Sequence, residues 1–256
     1  MTAAENRNPA TEEGFFCNLP FEEYQDLSGL NQTTLKQRLR GVDSKKAQKN
    51  PIDQQIIGHA GHCLVLEPDR FHSIYVRAPD GTGGGKHATQ RARRDLQQHH
   101  PGKMILPGDV WNRLLAAERT LRVHPRVHEW MGEGDPEISA FWEDPQTGIR
   151  CKGRLDWYNP ELDMIMDLKF TGCVKHSLCL RRIERHHYDL QAAWYCRAVK
   201  ALRGSQPVFA IVYIETVRPH RIVPIVLSPA DLERGEQKIH AALHSLPDAM
   251  TAHAVN

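Results

Sequence analysis

Between Met164 and Phe170 the chain reads MIMDLKF, an apolar run that carries one acid and one base, Asp167 and Lys169. Residues two apart on a strand share a face, so both charges point the same way. Their neighbours Met164, Ile165, Met166, Leu168 and Phe170 are apolar, which marks the segment as an interior strand. Each unpaired ion there costs on the order of several kcal/mol. The strand therefore needs a cation for its carboxylate, and an anion, or that same carboxylate, for its ammonium. Eleven residues upstream stands Asp156, in GRLDW, and a hairpin through NPELD lays it beside Asp167. Two converging carboxylates repel unless a divalent cation holds them, and an oxygen-rich site suits Mg²⁺ or Mn²⁺. An isolated Asp-x-Lys triplet is common by chance and reads equally as a structural ion pair near a strand end. The upstream Asp and the apolar strand lift this one above that level.

The rest of the chain frames that hairpin. Its 256 residues suit one domain with a substantial core, and 40% hydrophobic with 25% charged residues excludes a wholly disordered chain. Helices are predicted over 31–41, 52–66, 108–123 and 188–202, and again from Pro229 to Leu246. On the 108–123 helix, Val110, Leu114, Leu115, Leu121 and Val123 lie near one side. Strands are predicted over 137–143, 149–158 and 162–170 as a meander, then 208–216 and 222–227. Segments 43–51 and 79–86 read as loops. The expectation is an α/β fold with a mixed central sheet flanked by helices and a helical N-terminal portion. Residues 1–18 are expected to be frayed, 19–247 to form one domain, and 248–256 to be a flexible tail. No apolar run reaches 18 residues and the N-terminus has no apolar signal region, so a cytoplasmic protein off the membrane is expected. Six cysteines include no CxxC pair, which speaks against a zinc ribbon and for free thiols.

Several other residues bear on chemistry. Gln191 and Tyr195, four apart on a predicted helix, share a face; they suit a phosphate or a nucleotide ring, or equally an amphipathic boundary. His62 sits on an apolar helix, where a lone His is usually a core residue, and His59 three residues earlier offers a possible chelate. Glu137 opens the first strand of the meander. The net charge is only +2, from 33 Lys and Arg less 31 Asp and Glu, but basic residues cluster. Lys86, Arg91, Arg93 and Arg94 form one group and Arg181, Arg182 and Arg185 another; both suit phosphate contacts or a solvated face. The glycine loop is not a P-loop, since Asp80 replaces its first Gly and His87 follows Lys86.

In order along the chain, GHAGHCLVLEP, PEISAFWEDPQTGIRCKGRLDW, IMDLKFT and YDLQAAWY resemble the RecE-type exonucleases (exodeoxyribonuclease VIII) of the PD-(D/E)XK nuclease superfamily. The resemblance runs from about residue 19 to 246. It implies that His62, Asp156, Asp167 and the Leu168 backbone carbonyl ligate one or two Mg²⁺ or Mn²⁺ ions. Lys169 would be the motif lysine, Glu137 would serve a second metal, and Gln191 and Tyr195 would form the helix motif behind the sheet. His59 matches no ligand position. Implied too are 5′-to-3′ digestion of linear double-stranded DNA, a RecT-like annealing partner and a ring-shaped homo-oligomer. The four cysteines of the iron–sulfur members have no counterpart pattern here, so no such cluster is expected. A structure-specific or restriction-type endonuclease, or a non-catalytic DNA-binding scaffold, would share the core.

Overall fold

A computed structural model of the chain describes residues 7–40, 52–79 and 86–245, and within these not the side chains of 52–54, 86–90 and 93. In chain order the elements are β1 (Gly14–Phe16), α1 (Phe21–Asp26), α2 (Gln32–Arg40), α3 (Ile52–Leu66), α4 (Pro68–Ile74), β2 (Tyr75–Arg77), α5 (Lys86–His99), β3 (Met104–Leu106) and α6 (Gly108–Arg122). There follow α7 (Pro125–Met131), β4 (Asp135–Glu143), β5 (Arg150–Asn159), β6 (Met164–Thr171), α8 (His176–Arg185), α9 (Tyr188–Arg203), β7 (Val208–Glu215), β8 (Ile222–Val226) and α10 (Pro229–His244).

The main sheet has the order β1-β4-β5-β6-β7-β8. Its first three pairings are antiparallel, β6 and β7 run parallel, and β8 returns antiparallel. A parallel neighbour needs a crossover, which α8 and α9 provide. On one face Leu190 and Trp194 of α9 pack with Trp142, Leu155 and Ile165. On the other, Val65, Leu121 and Val127 from α3, α6 and α7 meet Met164, Met166 and Leu168. This alternation along β6 aims Asp167 and Lys169 toward α9. It is the α/β mixed-sheet architecture anticipated from the strand pattern.

Local chemistry sets the boundaries. Helix α3 ends at Leu66, and Pro68 then opens α4, where its missing N–H costs nothing. Gly204 closes α9 at φ +76°, and Ser228 with Asp231 forms a capping box on α10. Gly235 lets α10 lie against α9, because a Cβ there would stand 2.2 Å from the Asp189 carbonyl oxygen. We expect Gly235→Ala to destabilise the fold by about 1–3 kcal/mol; urea unfolding with an unshifted midpoint would contradict that close approach.

Some expectations need correction. Residues 14–16 are not frayed: they pair with β4 as an edge strand. Residues 176–185, assigned no element from the sequence, form a full helix, α8, whose buried stripe is only Cys179 and Ile183 and is hidden among charges. Val123 is 77% exposed, because α6 stops at Arg122 and Val123 caps it instead of joining the core. The short α1, α4, α7, β2 and β3 carry too few residues for a periodic signal. The expected loops fall almost wholly outside the described residues, at 41–51 and 80–85. Among the described residues no helix is long and apolar enough to cross a membrane.

Candidate metal centre

Strands β5 and β6 pair at Asn159–Met164, Tyr158–Ile165 and Trp157–Met166, and the ladder stops there. Continuing that register by one step sets Asp156 against Asp167. On the other side β4 and β5 pair at Pro136–Trp157 and Ile138–Leu155, and the register skips Glu137 opposite Asp156. Three carboxylates thus occupy one row across three strands, at the row where the backbone ladder opens. Glu137 adopts φ +50°, a left-handed conformation that costs a glutamate about 1–3 kcal/mol. Asp156 takes up one of the freed backbone groups: its Oδ2 accepts from the Leu168 N–H at 2.8 Å.

Helix α3 brings His62 to this fork, with Nδ1 3.4 Å from Asp156 Oδ2 and its ring against Phe170. The approach depends on Gly61, since a Cβ there would meet the Phe170 ring at 2.6 Å. His62, Glu137 and Asp156 each offer a ligand atom, all within 4.8 Å of one another. One imidazole and two carboxylates form a donor set that fits a divalent cation such as Mn²⁺ or Mg²⁺.

The electrostatics favour the same occupant. Burial first, then the neighbouring Asp167, pushes Asp156 up to about 7. Burial and Asp156 also raise Glu137, against the pull of Arg154, whose Nε donates to Glu137 Oε2 at 2.5 Å. Burial and Lys169 lower His62, which favours the neutral, ligating imidazole; a hydrogen bond between its ring and the Leu168 backbone pulls the other way. The site holds more negative charge than its own bases neutralise comfortably, and a bound cation would reverse each carboxylate shift.

Asp167 stands beside Asp156 but is engaged by other partners. Its Oδ1 accepts from Gln191 Nε2 at 2.5 Å, and its Oδ2 is ion-paired with Lys169. The carboxylate is buried, so this pair is strongly held. The resemblance implied Asp167 in the same ligand set as His62 and Asp156. The structure brings Glu137 within ligand distance of those two, while the Asp167 oxygens are held by Gln191 and Lys169. Gln191 is fixed in turn by Lys36, whose Nζ donates to its Oε1 at 3.0 Å. The Tyr188 ring lies under both ammoniums, 4.8 Å from Lys169 and 5.5 Å from Lys36. Tyr195, one turn beyond Gln191, is buried and borders a 590 Å³ cleft that also reaches His62, Glu137, Asp156, Phe21 and Arg70. His59 is exposed at that cleft and stands outside the ligand group.

Arg154, Lys36 and Tyr188 escaped sequence reasoning. Arg154 was within reach of it: two residues before Asp156, it shares that face of β5. Lys36 gave no signal, because its partner Gln191 lies 155 residues away. Of the basic clusters, Arg181 and Arg185 of α8 are exposed, while Arg182 donates to the Cys173 carbonyl at 2.6 Å. Arg91 and Arg94 are exposed on α5 and do not line the cleft; the side chains of Lys86 and Arg93 lie outside the described ones.

A mixed sheet opened at an Asp…Asp-x-Lys row, with a helical His and a buried Gln behind it, is the architecture of a PD-(D/E)XK-like domain. The chain belongs to the family described as PDDEXK-like domain of unknown function (DUF3799), which it matches over residues 33–254. No curated protein matches it. Among solved structures it is similar to a crystal structure named "Putative exonuclease" from Eubacterium rectale. The two are 12% identical over 94% of this chain and 89% of that one, with a TM-score of 0.59, and share the fold. The crystal structure of SSO0001 aligns over 82% of this chain and 85% of its own at 13% identity, but its TM-score of 0.29 carries no weight.

Proposed function

We propose that this chain is a divalent-metal-dependent exodeoxyribonuclease that digests linear double-stranded DNA from the 5′ end and leaves 3′ single strands. The observation that carries the nuclease reading is the single row of Glu137, Asp156 and Asp167 at an opened ladder, with His62 on one side and Lys169 on the other. His62, Glu137 and Asp156 would hold the cation, and the resemblance adds Asp167 and the Leu168 carbonyl to that set. Mg²⁺ or Mn²⁺ bound there supplies charge that offsets the anionic phosphodiester during hydrolysis.

The chain's own groups do the rest. Lys169 presents N–H donors to a nonbridging phosphate oxygen and helps orient the attacking water; Asp167 keeps it charged and in place, raising its pKa against the effect of burial. Gln191 locks Asp167, and Tyr195 closes the cleft behind the row. Arg181, Arg182 and Arg185 would contact flanking phosphates, with affinity that falls as salt rises. The exonuclease reading rests on the RecE-type resemblance and on the name of the Eubacterium rectale relative, and its polarity on the resemblance alone. The same resemblance supplies the RecT-like annealing partner and the ring-shaped oligomer.

Linear duplex labelled at one 5′ or one 3′ end, offered beside covalently closed circles, tests this reading. Label should leave the 5′ end first in Mg²⁺, none should leave in EDTA, and the circles should survive. Cutting of the circles would make the protein an endonuclease. No digestion in either Mg²⁺ or Mn²⁺ would leave only a DNA-binding scaffold.

A further inference from the structure

We propose that Lys36, on the N-terminal helix α2, is a second substrate-binding cation that holds a phosphate oxygen of the nucleic acid beside Lys169. The proposal rests on the nuclease reading above and extends it to a residue outside the sheet motif.

Lys36 lies part-buried and donates a hydrogen bond to the neutral Oε1 of Gln191. An ammonium has three donors and needs negative charge when it leaves water. Among the described residues no carboxylate oxygen lies within 4.0 Å of it. The nearby carboxylate, Asp167, is already ion-paired with Lys169. The Tyr188 ring offers both lysines its π-face, which compensates a cation only in part. Burial and Lys169 accordingly push Lys36 down to about 7. A lysine needed only to hold the Gln191 amide would spend a buried positive charge where a neutral donor suffices. An incoming phosphodiester is the counter-ion that this arrangement lacks.

The surroundings continue in the same sense. Burial lowers His186, and Arg185, Arg40, Arg182 and Lys36 lower it further, so these cations lie around one histidine. The start of α2 (Gln32, Thr33) also lines the cleft that holds His62, Glu137 and Asp156, so the helix carrying Lys36 borders the site.

The test compares wild type with Lys36→Met, which keeps the aliphatic stem, and Lys36→Arg, which keeps the charge. Cleavage of linear duplex in Mg²⁺ should slow by about 10²-fold in the Met variant and recover in the Arg variant. Binding of a short duplex with Ca²⁺ in place of Mg²⁺ should lose about one unit of salt slope in the Met variant. The same loss should persist when Lys36→Met is placed in a Gln191→Ala background. Thermal unfolding of Lys36→Met should begin no lower than wild type, since an unpaired buried charge has been removed. A salt slope equal to wild type would overturn the phosphate contact, and so would an effect that vanishes in the Gln191→Ala background. A wild-type protein that cuts no DNA, yet loses slope on Lys36→Met, would sink the nuclease reading and leave the Lys36 contact standing.

Discussion

Asp156→Asn should abolish metal-dependent hydrolysis and, in EDTA at pH 8, make the protein more stable than wild type. The two effects have one cause. Asp156 is buried beside Asp167, and without a cation its ionised form is disfavoured until the pH reaches about 7, against an ordinary value of 3.8. An unfolded chain releases that proton near pH 4, so the folded state holds it over the higher range. Folding stability therefore falls as pH rises from about 4 to 7 and stays low above that. At about 1.4 kcal/mol per pKa unit the full penalty is on the order of 4 kcal/mol. Glu137, also raised, adds to the decline. Asparagine removes the charge while its side-chain oxygen still accepts the Leu168 N–H, so the hydrogen bond of the open ladder survives. At roughly 2–4 °C per kcal/mol for a chain of this size, the midpoint should rise by about 5 °C or more. Hydrolysis should fall by at least about 10³-fold, because a ligand of the cation is lost. Thermal unfolding of both proteins at pH 5 and pH 8 checks this: wild type should drop between the two and the variant should not. A variant that melts below wild type at pH 8 would mean that Asp156 is not a strained carboxylate.

How far this was legible in the sequence differs from residue to residue. The hairpin register was, because the period of 2 in β5 and β6 and the turn NPELD leave little freedom, and the apolar run around Asp167 demanded partners for its charges. Strand β7, VFAIVYIE, announced itself as doubly buried, and α9 announced its stop with Gly204. The helix α8 did not, since two buried side chains in ten residues, Cys179 and Ile183, make no visible stripe. Edge strand β1 is three residues long and acquires its identity only by pairing with β4.

The composition of the ligand group was harder still. Glu137 belongs with His62 and Asp156 because the β4 backbone turns to φ +50° at that residue, and no propensity encodes such a turn for a glutamate. Whether Asp167 faces the cation or Lys169 depends on competition among buried charges, which spacing alone does not rank. Lys36 and Tyr188 reach the site through packing of α2 and α9 across most of the chain. Local sequence therefore fixed the row of carboxylates, while tertiary packing chose their partners.

Lys169→Met should also abolish hydrolysis, but with the opposite effect on stability. Lys169 is ion-paired with Asp167, whose side chain is 2% exposed. Its removal leaves a buried carboxylate supported by Gln191 and, at longer range, by Lys36. Breaking a buried pair on one side costs about 3–5 kcal/mol, since the surviving ion keeps its desolvation penalty. The midpoint at pH 8 should therefore fall by roughly 10 °C. Adding Asp167→Asn to Lys169→Met removes the stranded charge, keeps the Gln191 contact through the amide oxygen, and should return most of the lost stability. Activity should not return, because neither the ammonium nor the carboxylate has been restored. That split separates a catalytic pair from a structural one: if the single variant melts like wild type, the two charges do not compensate each other in the folded protein. If the double variant regains cleavage along with stability, Lys169 contributes only to the fold and the Asp-x-Lys reading of this strand fails.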